Sequence, residues 1–374
     1  MDFSFREDED AAAELARQIL EDHATNERLK ELERTGAPVD EQLWHALAAA
    51  DLLGIAVPTD DGGSGQGFLA LGRLLQEVGR TVAPVPVYAA LVLGAWPISE
   101  FGDETTRAWL GPIARGELIV TAALEEPASS DLYAPTTRGE GAGESVRLTG
   151  TRTNVPHAEQ AGYILVPARC DDGETGLFHV ATDASGLRLT PQQTSDGQPH
   201  ALLELDAAPA AARLDTPGHG AETLVRVVEI ATVARCLVQL GVTERALEMT
   251  AAYSRERIQF DRPIGSFQAV HQRAADAFIQ VEGIRLTAWE AAWRIANGLP
   301  AAEQVMVAKY LAAEGGQFAA FACQHLHGGV GIDVDYPLHR YFMWAIQLEH
   351  ELGSARHQLD HLGRHLAAAG IPAA

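Results

Sequence analysis

Cysteine is scarce in this chain. Cys170, Cys236 and Cys323 are the only three in 374 residues, far apart and without a Cys-x-x-Cys pair. That excludes a disulfide scaffold and a zinc ribbon, and it fits a reducing compartment. Positive charge is short as well: 28 Lys and Arg stand against 51 Asp and Glu, for a formal net charge of -23. Such a surface repels phosphate backbones and anionic lipid, so neither nucleic acid nor a membrane is an expected partner. An anionic ligand can still be held, but only in a local basic or helix-N-terminal pocket. Long hydrophobic runs are missing too. The longest, residues 83–98, carries Pro84, Pro86 and Pro97 and is too short to span a bilayer. The opening Met1-Asp2-Phe3-Ser4-Phe5-Arg6 and the acidic run after it have no signal-peptide shape, so a cytoplasmic protein is expected.

What is present reads as helices, then strands, then helices. From Glu7 to about Arg115 apolar residues recur at helical spacing, with Leu15, Ile19 and Leu20 on one face and Leu43, Trp44 and Leu47 on another. Near Gly116 the character changes to short β-branched or alternating runs: 117–121, 145–149, 163–166, 176–180, 187–189 and 202–205. Gly, Pro, Asp and Ser clusters separate them, which predicts a small antiparallel β domain. After Pro217-Gly218 four long helical segments follow, roughly 221–257, 266–297, 301–325 and 339–368, with stops at Asn297–Pro300 and Gly328–Pro337. The expectation is a mainly α protein with a β middle domain: a helical domain over 1–115, a β domain over 116–217 and a four-helix bundle over 218–374.

Four local features invite a chemical reading. The glycine-rich stretch Asp60–Gly67 has neither Walker nor dinucleotide spacing, and a tight turn between helices accounts for it. His357, His361 and His365 share a helix face, but i to i+8 spans about 12 Å, too far for one metal; no metal site is expected. His325-Leu326-His327 before Gly328-Gly329 suits a helix cap or a ligand contact equally. Arg255-Glu256-Arg257-Ile258-Gln259-Phe260-Asp261-Arg262 places three arginines within eight residues. They suit either a solvated, salt-bridged helix end or an anion clamp, since guanidinium pairs bidentately with phosphate.

Along nearly its whole length the chain resembles the acyl-CoA dehydrogenase family. The resembling stretches, in the family's order, are Gly62–Gly65, Glu77-Val78-Gly79, Glu126-Pro127 with Ser130-Asp131, Tyr253–Phe260, Phe267-Gln268, His327–Gly331 and Asp335-Tyr336-Pro337. The resemblance implies the three-part layout read above. It also implies FAD-dependent desaturation of an acyl-CoA between Cα and Cβ. In that chemistry a glutamate removes the α proton, hydride leaves Cβ, and hydrogen bonds to the thioester oxygen acidify the α carbon. Each flavin lies across two subunits. One subunit supplies the β-domain wall, the acyl pocket and the base, and its neighbour supplies an arginine and a glycine pair.

Against that pattern the chain departs on one side only. Counting from Gly328-Gly329 puts Leu352 at the glutamate's position, with Glu351 beside it and about 100° away on a continuous helix. The alternative base position, on the first bundle helix, is Ala231, with Glu229 on roughly the opposite face. The flavin-stacking Trp-x-Thr or Trp-x-Ser aligns with Asn154-Val155-Pro156. Conversely, Arg257, Gln259, Phe260, Gln268, Gly328 and Gly329 match the neighbour-facing flavin contacts, and His325 replaces the family's glutamine, with Gln324 adjacent. The resemblance therefore implies a non-catalytic subunit with no catalytic residue of its own. It would complete the FAD site of a catalytic acyl-CoA dehydrogenase partner in an α2β2 heterotetramer. The acyl-CoA would sit in the partner's pocket and an electron-transfer flavoprotein would take the electrons. It is similar to the bacterial heteromers that shorten sterol side chains as CoA thioesters. Two rivals stand beside it: an active homomer with a displaced base such as Glu351, and a flavin-free helical-bundle binding protein.

Overall fold

The computed structural model of the chain describes residues 4–127, 129–141 and 145–369. Among the described residues seven α-helices come first: α1 (Glu7–His23), α2 (Asn26–Thr35), α3 (Glu41–Ala49), α4 (Phe68–Thr81), α5 (Trp96–Phe101), α6 (Glu104–Arg107) and α7 (Leu110–Ala114). A sheet follows, then α8 (Gly220–Glu256), α9 (Gln268–Ala296), α10 (Ala302–His327), α11 (Leu338–His350) and α12 (Ala355–Ala369). The architecture is a helical N-terminal region, a central sheet and a C-terminal helical bundle, as expected from sequence. By compactness the chain falls into two units. One holds residues to Ile19, Gly36–Leu71 and Pro84–Ala231; the other holds Leu20–Thr35, Gly72–Ala83 and the chain from Thr232.

The first unit is built on the sheet. Its strands are β1 (Val120–Ala122), β2 (Arg138–Glu140), β3 (Arg147–Pro156), β4 (Tyr163–Cys170), β5 (Thr175–Ala181), β6 (Leu187–Gln192), β7 (His200–Pro209) and β8 (Ala212–Arg213). The order is β6-β7-β3-β2-β4-β5-β8, and most pairs are antiparallel. β1 and β2 both run parallel to β4, a detail the alternating pattern could not supply. Inward residues Leu148, Val155, Ile164, Val166, Phe178, Val180 and Leu203 form its core. Burying each stabilises the unit by about 1.5–3 kcal/mol relative to exposure. The apolar run noted at 83–98 is buried except at half-buried Pro84 and Trp96, and it winds as a π-helix over Tyr88–Ala95.

The second unit is helical. Two glycines set its closest approach. A Cβ on Gly79 of α4 would collide with the Val238 carbonyl of α8, and one on Gly241 of α8 with the Gln76 carbonyl of α4. Only glycine lets two backbones come this near. Arg340 of α11 is 6% exposed. It grips Glu33 of α2 through Nε (2.5 Å) and Nη2 (2.8 Å), and Asn26 through Nη1 (2.8 Å).

One expectation needs correction here. The segment read as a single helix over 339–368 is two. α11 stops at His350, and Leu352 (φ 55°) and Gly353 (φ 96°) turn the chain through left-handed backbone before α12 begins. Buried Lys309 of α10 caps the break, donating from Nζ to the carbonyls of Leu348 (2.6 Å) and Glu349 (3.3 Å). Those are carbonyls that a helix end leaves without an intrahelical donor.

Candidate functional site

The three aligned positions on β3 lie at a β-bulge, where the register with β7 shifts between Arg152 and Val155. The bulge gives Asn154 a φ of 55° and turns Val155 fully inward. Asn154 donates from its backbone N–H to Gln192 Oε1 (2.9 Å) and from Nδ2 to Glu125 Oε1 (3.1 Å); Gln192 Nε2 donates to Thr153 Oγ1 (3.0 Å). The surface is thus a cross-linked amide–carboxylate patch with no aromatic face. Below it, Arg152 is 1% exposed and pairs with Glu126 at 3.0 Å. Burial works to raise the Glu126 pKa. The charge of Arg152 and hydrogen bonds from Thr136 and Thr137 outweigh it and hold the carboxyl below its ordinary range. Glu126 is therefore an ionised strut for this loop, unsuited to proton abstraction from carbon.

The two family base positions hold no acid. Ala231 is fully buried, with the Tyr88 hydroxyl donating to its carbonyl at 3.4 Å. Leu352 is 4% exposed. Neighbouring Glu351 caps α11 outside the helix (φ -60°, ψ 138°), so the expected 100° helical offset does not apply. Its direction comes from the chain break: Oε2 lies 2.6 Å from Arg235 Nε, and Oε1 accepts from Gln347 Nε2 at 3.1 Å. Glu229 lies on α8, where burial raises its pKa against the pull of Arg226.

The other set of predicted residues has the opposite character. α8 ends at Glu256, and residues 257–263 form a small hairpin, β9 (Ile258–Gln259) with β10 (Arg262–Pro263). Its turn, Phe260-Asp261, has φ of 52° and 63°, the left-handed pair of a type I′ turn. A phenylalanine there is strained, yet its ring is 86% exposed. Arg257, Gln259 and Gln268, the first residue of α9, are also exposed. From Arg255 to Arg273 four arginines face two carboxylates, in a chain whose balance is -23. Arg255, Arg257, Arg262 and Arg273 have no carboxylate partner among the described residues. Arg262 instead lies over Phe267 at 4.1 Å and Arg273 over Phe318 at 4.8 Å. The salt-bridged helix end allowed by the sequence is not what folds.

At the end of α10 the two histidines separate. His327 is buried, stacks on Tyr253 at 4.4 Å, and bonds Cys323 O (2.9 Å) through Nδ1 and the Tyr336 hydroxyl (3.1 Å) through Nε2. Burial lowers its pKa, so it is a neutral structural residue. His325 is exposed and shares a groove of about 340 Å³ with Ala269, Val270, Arg273 and Leu326. A Cβ on either Gly328 (φ 60°) or Gly329 would meet nothing of this chain within 4 Å. Glycine backbone, guanidinium groups without a carboxylate partner and exposed aromatic rings together suit a ligand that is both anionic and aromatic. Arg273 was not legible as part of this set, because nothing in the sequence shows which arginines lack an acid.

The remaining histidines diverge as well. His365 lies 3.4 Å from Glu303, while the His357 and His361 rings lie tilted against each other with centroids at 4.4 Å. Among the described residues no three His, Cys, Asp or Glu side chains are placed to share a metal. None of the described helices is long and apolar enough to cross a membrane.

Residues 6–117 match the acyl-CoA dehydrogenase N-terminal domain, and residues 218–367 match the acyl-CoA dehydrogenase C-terminal domain. The chain is 39% identical to acyl-CoA dehydrogenase FadE27 of Mycobacterium tuberculosis, over 98% of this chain and 99% of that one. It is similar in structure to the ChsE4-ChsE5 complex from Mycobacterium tuberculosis, with a TM-score of 0.93 and 40% identity over 100% of both chains. A variant of the Tcur3481-Tcur3483 steroid ACAD gives a TM-score of 0.92 and 42% identity, over 97% of this chain and 98% of that one. With both terminal domains matched and a relative aligned end to end, this chain belongs to the acyl-CoA dehydrogenase family, whose cofactor is FAD.

Proposed function

We propose that this chain is the non-catalytic subunit of a heteromeric acyl-CoA dehydrogenase, and that it completes the FAD site of a catalytic partner. The observation that carries the reading is a contrast. Ala231 and Leu352 are buried apolar residues and Glu351 is committed to Arg235, while Arg257, Phe260, Gly328 and Gly329 are exposed, and the Arg257 guanidinium has no carboxylate partner among the described residues. A chain with its own working site would need the first group polar. A chain that serves a neighbour's site needs the second group available.

In this reading Arg257 binds the flavin pyrophosphate. Gly328-Gly329 let the cofactor approach the backbone, and Gln259, Phe260, Gln268 and His325 orient its adenosine end and exclude water. Bound FAD supplies hydride acceptance; the base and acyl pocket belong to the partner. The substrate class we propose is a steroid side-chain acyl-CoA, by similarity to the steroid ACAD above. An α2β2 assembly, an electron-transfer flavoprotein as acceptor, a cytoplasmic site of action and the division at 115 and 217 belong to the same proposal.

The test is co-expression with a dehydrogenase-like chain that keeps its glutamate. FAD content and desaturase turnover should appear in the assembled pair and in neither chain alone. Full activity of this chain by itself would favour a homomer using Glu351.

A further inference from the structure

The helical unit holds a cavity of about 660 Å³, and none of its lining residues is among those assigned to flavin. Its walls come from the end of α1, the start of α2, the end of α4, the second half of α8 and the start of α11. The volume is that of a small-molecule pocket. Three tyrosines line it, Tyr253, Tyr336 and Tyr341, with Met249 beside them. Tyr253 and Tyr336 meet edge to face, with centroids 6.3 Å apart and planes at 60°, and so make an aromatic corner. The charges decide the sign of the ligand. Arg80 and Arg245 also line the cavity, yet both donate to one oxygen, Glu248 Oε2, at 2.9 Å and 3.1 Å. Arg80 donates to Glu244 as well, at 3.2 Å, so these positive charges are matched inside the wall. Glu21 and Glu256 differ. Both are exposed, both line the cavity, and neither has an ion-pair partner among the described residues. Aromatic faces beside unmatched carboxylates favour a cation and repel an anion. A metal ion is poorly served, since no three His, Cys, Asp or Glu side chains among the described residues are placed to share one. A linear aliphatic amine with more than one ammonium group suits both features. Its charges meet the carboxylates, and its methylenes pack on the thioether and the rings, whose faces also attract ammonium.

We propose that this cavity binds an aliphatic polyamine, with ammonium groups held by Glu21 and Glu256 and the methylene chain lying along Met249 and the three tyrosine rings. The ligand would tie α1 to the end of α8 and stabilise the helical unit by binding its folded form. The cavity is independent of the flavin surface: a chain with no flavin role would bind the polyamine equally.

The experiment titrates spermidine into the full chain by isothermal calorimetry, in about 0.15 M salt so that diffuse attraction to an acidic surface is screened. Magnesium ion serves as the control cation. One spermidine should bind per chain, and magnesium ion at equal concentration should not displace it. Glu21→Gln and Glu256→Gln should each weaken binding ~5- to 10-fold, and Glu159→Gln, an exposed acid outside the cavity, should leave it within about 2-fold. Tyr253→Phe keeps the ring and should bind within about 2-fold, while Tyr253→Leu should lose ~10-fold. Tyr253 also stacks on His327, so Tyr253→Leu can fail to fold; the two glutamate variants then decide alone. The melting temperature of the native chain should rise in spermidine, and that of Glu21→Gln should rise less. Absence of saturable binding would overturn the proposal. So would several spermidines per chain with equal losses in Glu256→Gln and Glu159→Gln, or displacement by magnesium ion, since each means that only net charge attracts the amine.

Discussion

Arg235 Nε and Glu351 Oε2 lie 2.6 Å apart, on side chains 10% and 3% exposed. The approach is off the hydrogen-bond line, so the contact acts first as an ion pair. It ties α8 to the break between α11 and α12, where Lys309 and Gln358 also bond the backbone. The acid nearest the family's catalytic position is therefore part of the scaffold. An acid that neutralises a buried arginine is poorly placed to accept a proton from carbon, because protonating it leaves the arginine uncompensated.

Glu351→Gln should accordingly lower stability more than turnover. Breaking one partner of a buried pair costs on the order of 3 kcal/mol. Removing a true general base costs at least ~100-fold in rate. Thermal unfolding of the co-expressed complex should shift down while turnover per assembled complex stays within about 3-fold. A 100-fold loss with FAD retained would identify Glu351 as a base.

The isolated chain should purify without stoichiometric flavin. The β3 bulge offers Asn154, Val155 and Pro156 tied to Glu125 and Gln192, with no indole to stack on the isoalloxazine. Absorbance near the flavin bands, measured with and without the partner chain, checks this. A yellow homomer with one FAD per chain contradicts it.

Arg257→Ala should yield an assembled complex depleted of FAD, although in the proposed assembly the catalytic glutamate lies in the other chain. Loss of a desolvated, bidentate guanidinium–phosphate pair costs ~2–5 kcal/mol, or roughly 30- to several-thousand-fold in affinity. Arg255→Ala, inside α8 while Arg257 lies beyond its end, should cost far less. FAD titration of both apo-complexes decides; equal, near-wild-type affinities would leave the arginines as surface charge.

His179 predicts a pH dependence of stability for the sheet unit. It is fully buried beside Trp109, with ring centroids at 5.1 Å, and burial pulls its pKa from the ordinary 6.5 to about 3. Between those values the unfolded chain binds a proton that the folded chain does not. Stability therefore falls as pH drops through that window, by up to ~1.4 kcal/mol per pH unit from this residue. Urea unfolding from pH 7 to pH 4 should show a shallower loss in His179→Phe than in the native chain. Identical slopes would mean the imidazole is hydrated when folded.

Much of the fold is written locally. Helical spacing over the first 115 residues, alternation through the strands and the glycine–proline stops each follow from backbone geometry acting over a few residues, and the structure keeps them. β2, only Arg138–Glu140, was not visible, because three residues carry no period. The Phe260-Asp261 turn was not visible either, since its residues are not those an I′ turn prefers.

The family, the absence of an acid at positions 231 and 352, and the identity of the residues around Arg257 were determined by the sequence alone, since each is a matter of residue type at a counted position. Three things needed the tertiary structure. The break at Leu352-Gly353 undid the helical geometry assumed for Glu351, and only its contact with Arg235 shows what that carboxylate does. His325 and His327, two residues apart, were equivalent on paper until packing against Tyr253 and Tyr336 buried one and left the other exposed. The arginines of 255–273 became a cationic surface only because folding brought no acid to them. Charge pairing and burial depend on which distant segments meet, and a linear pattern does not carry that information.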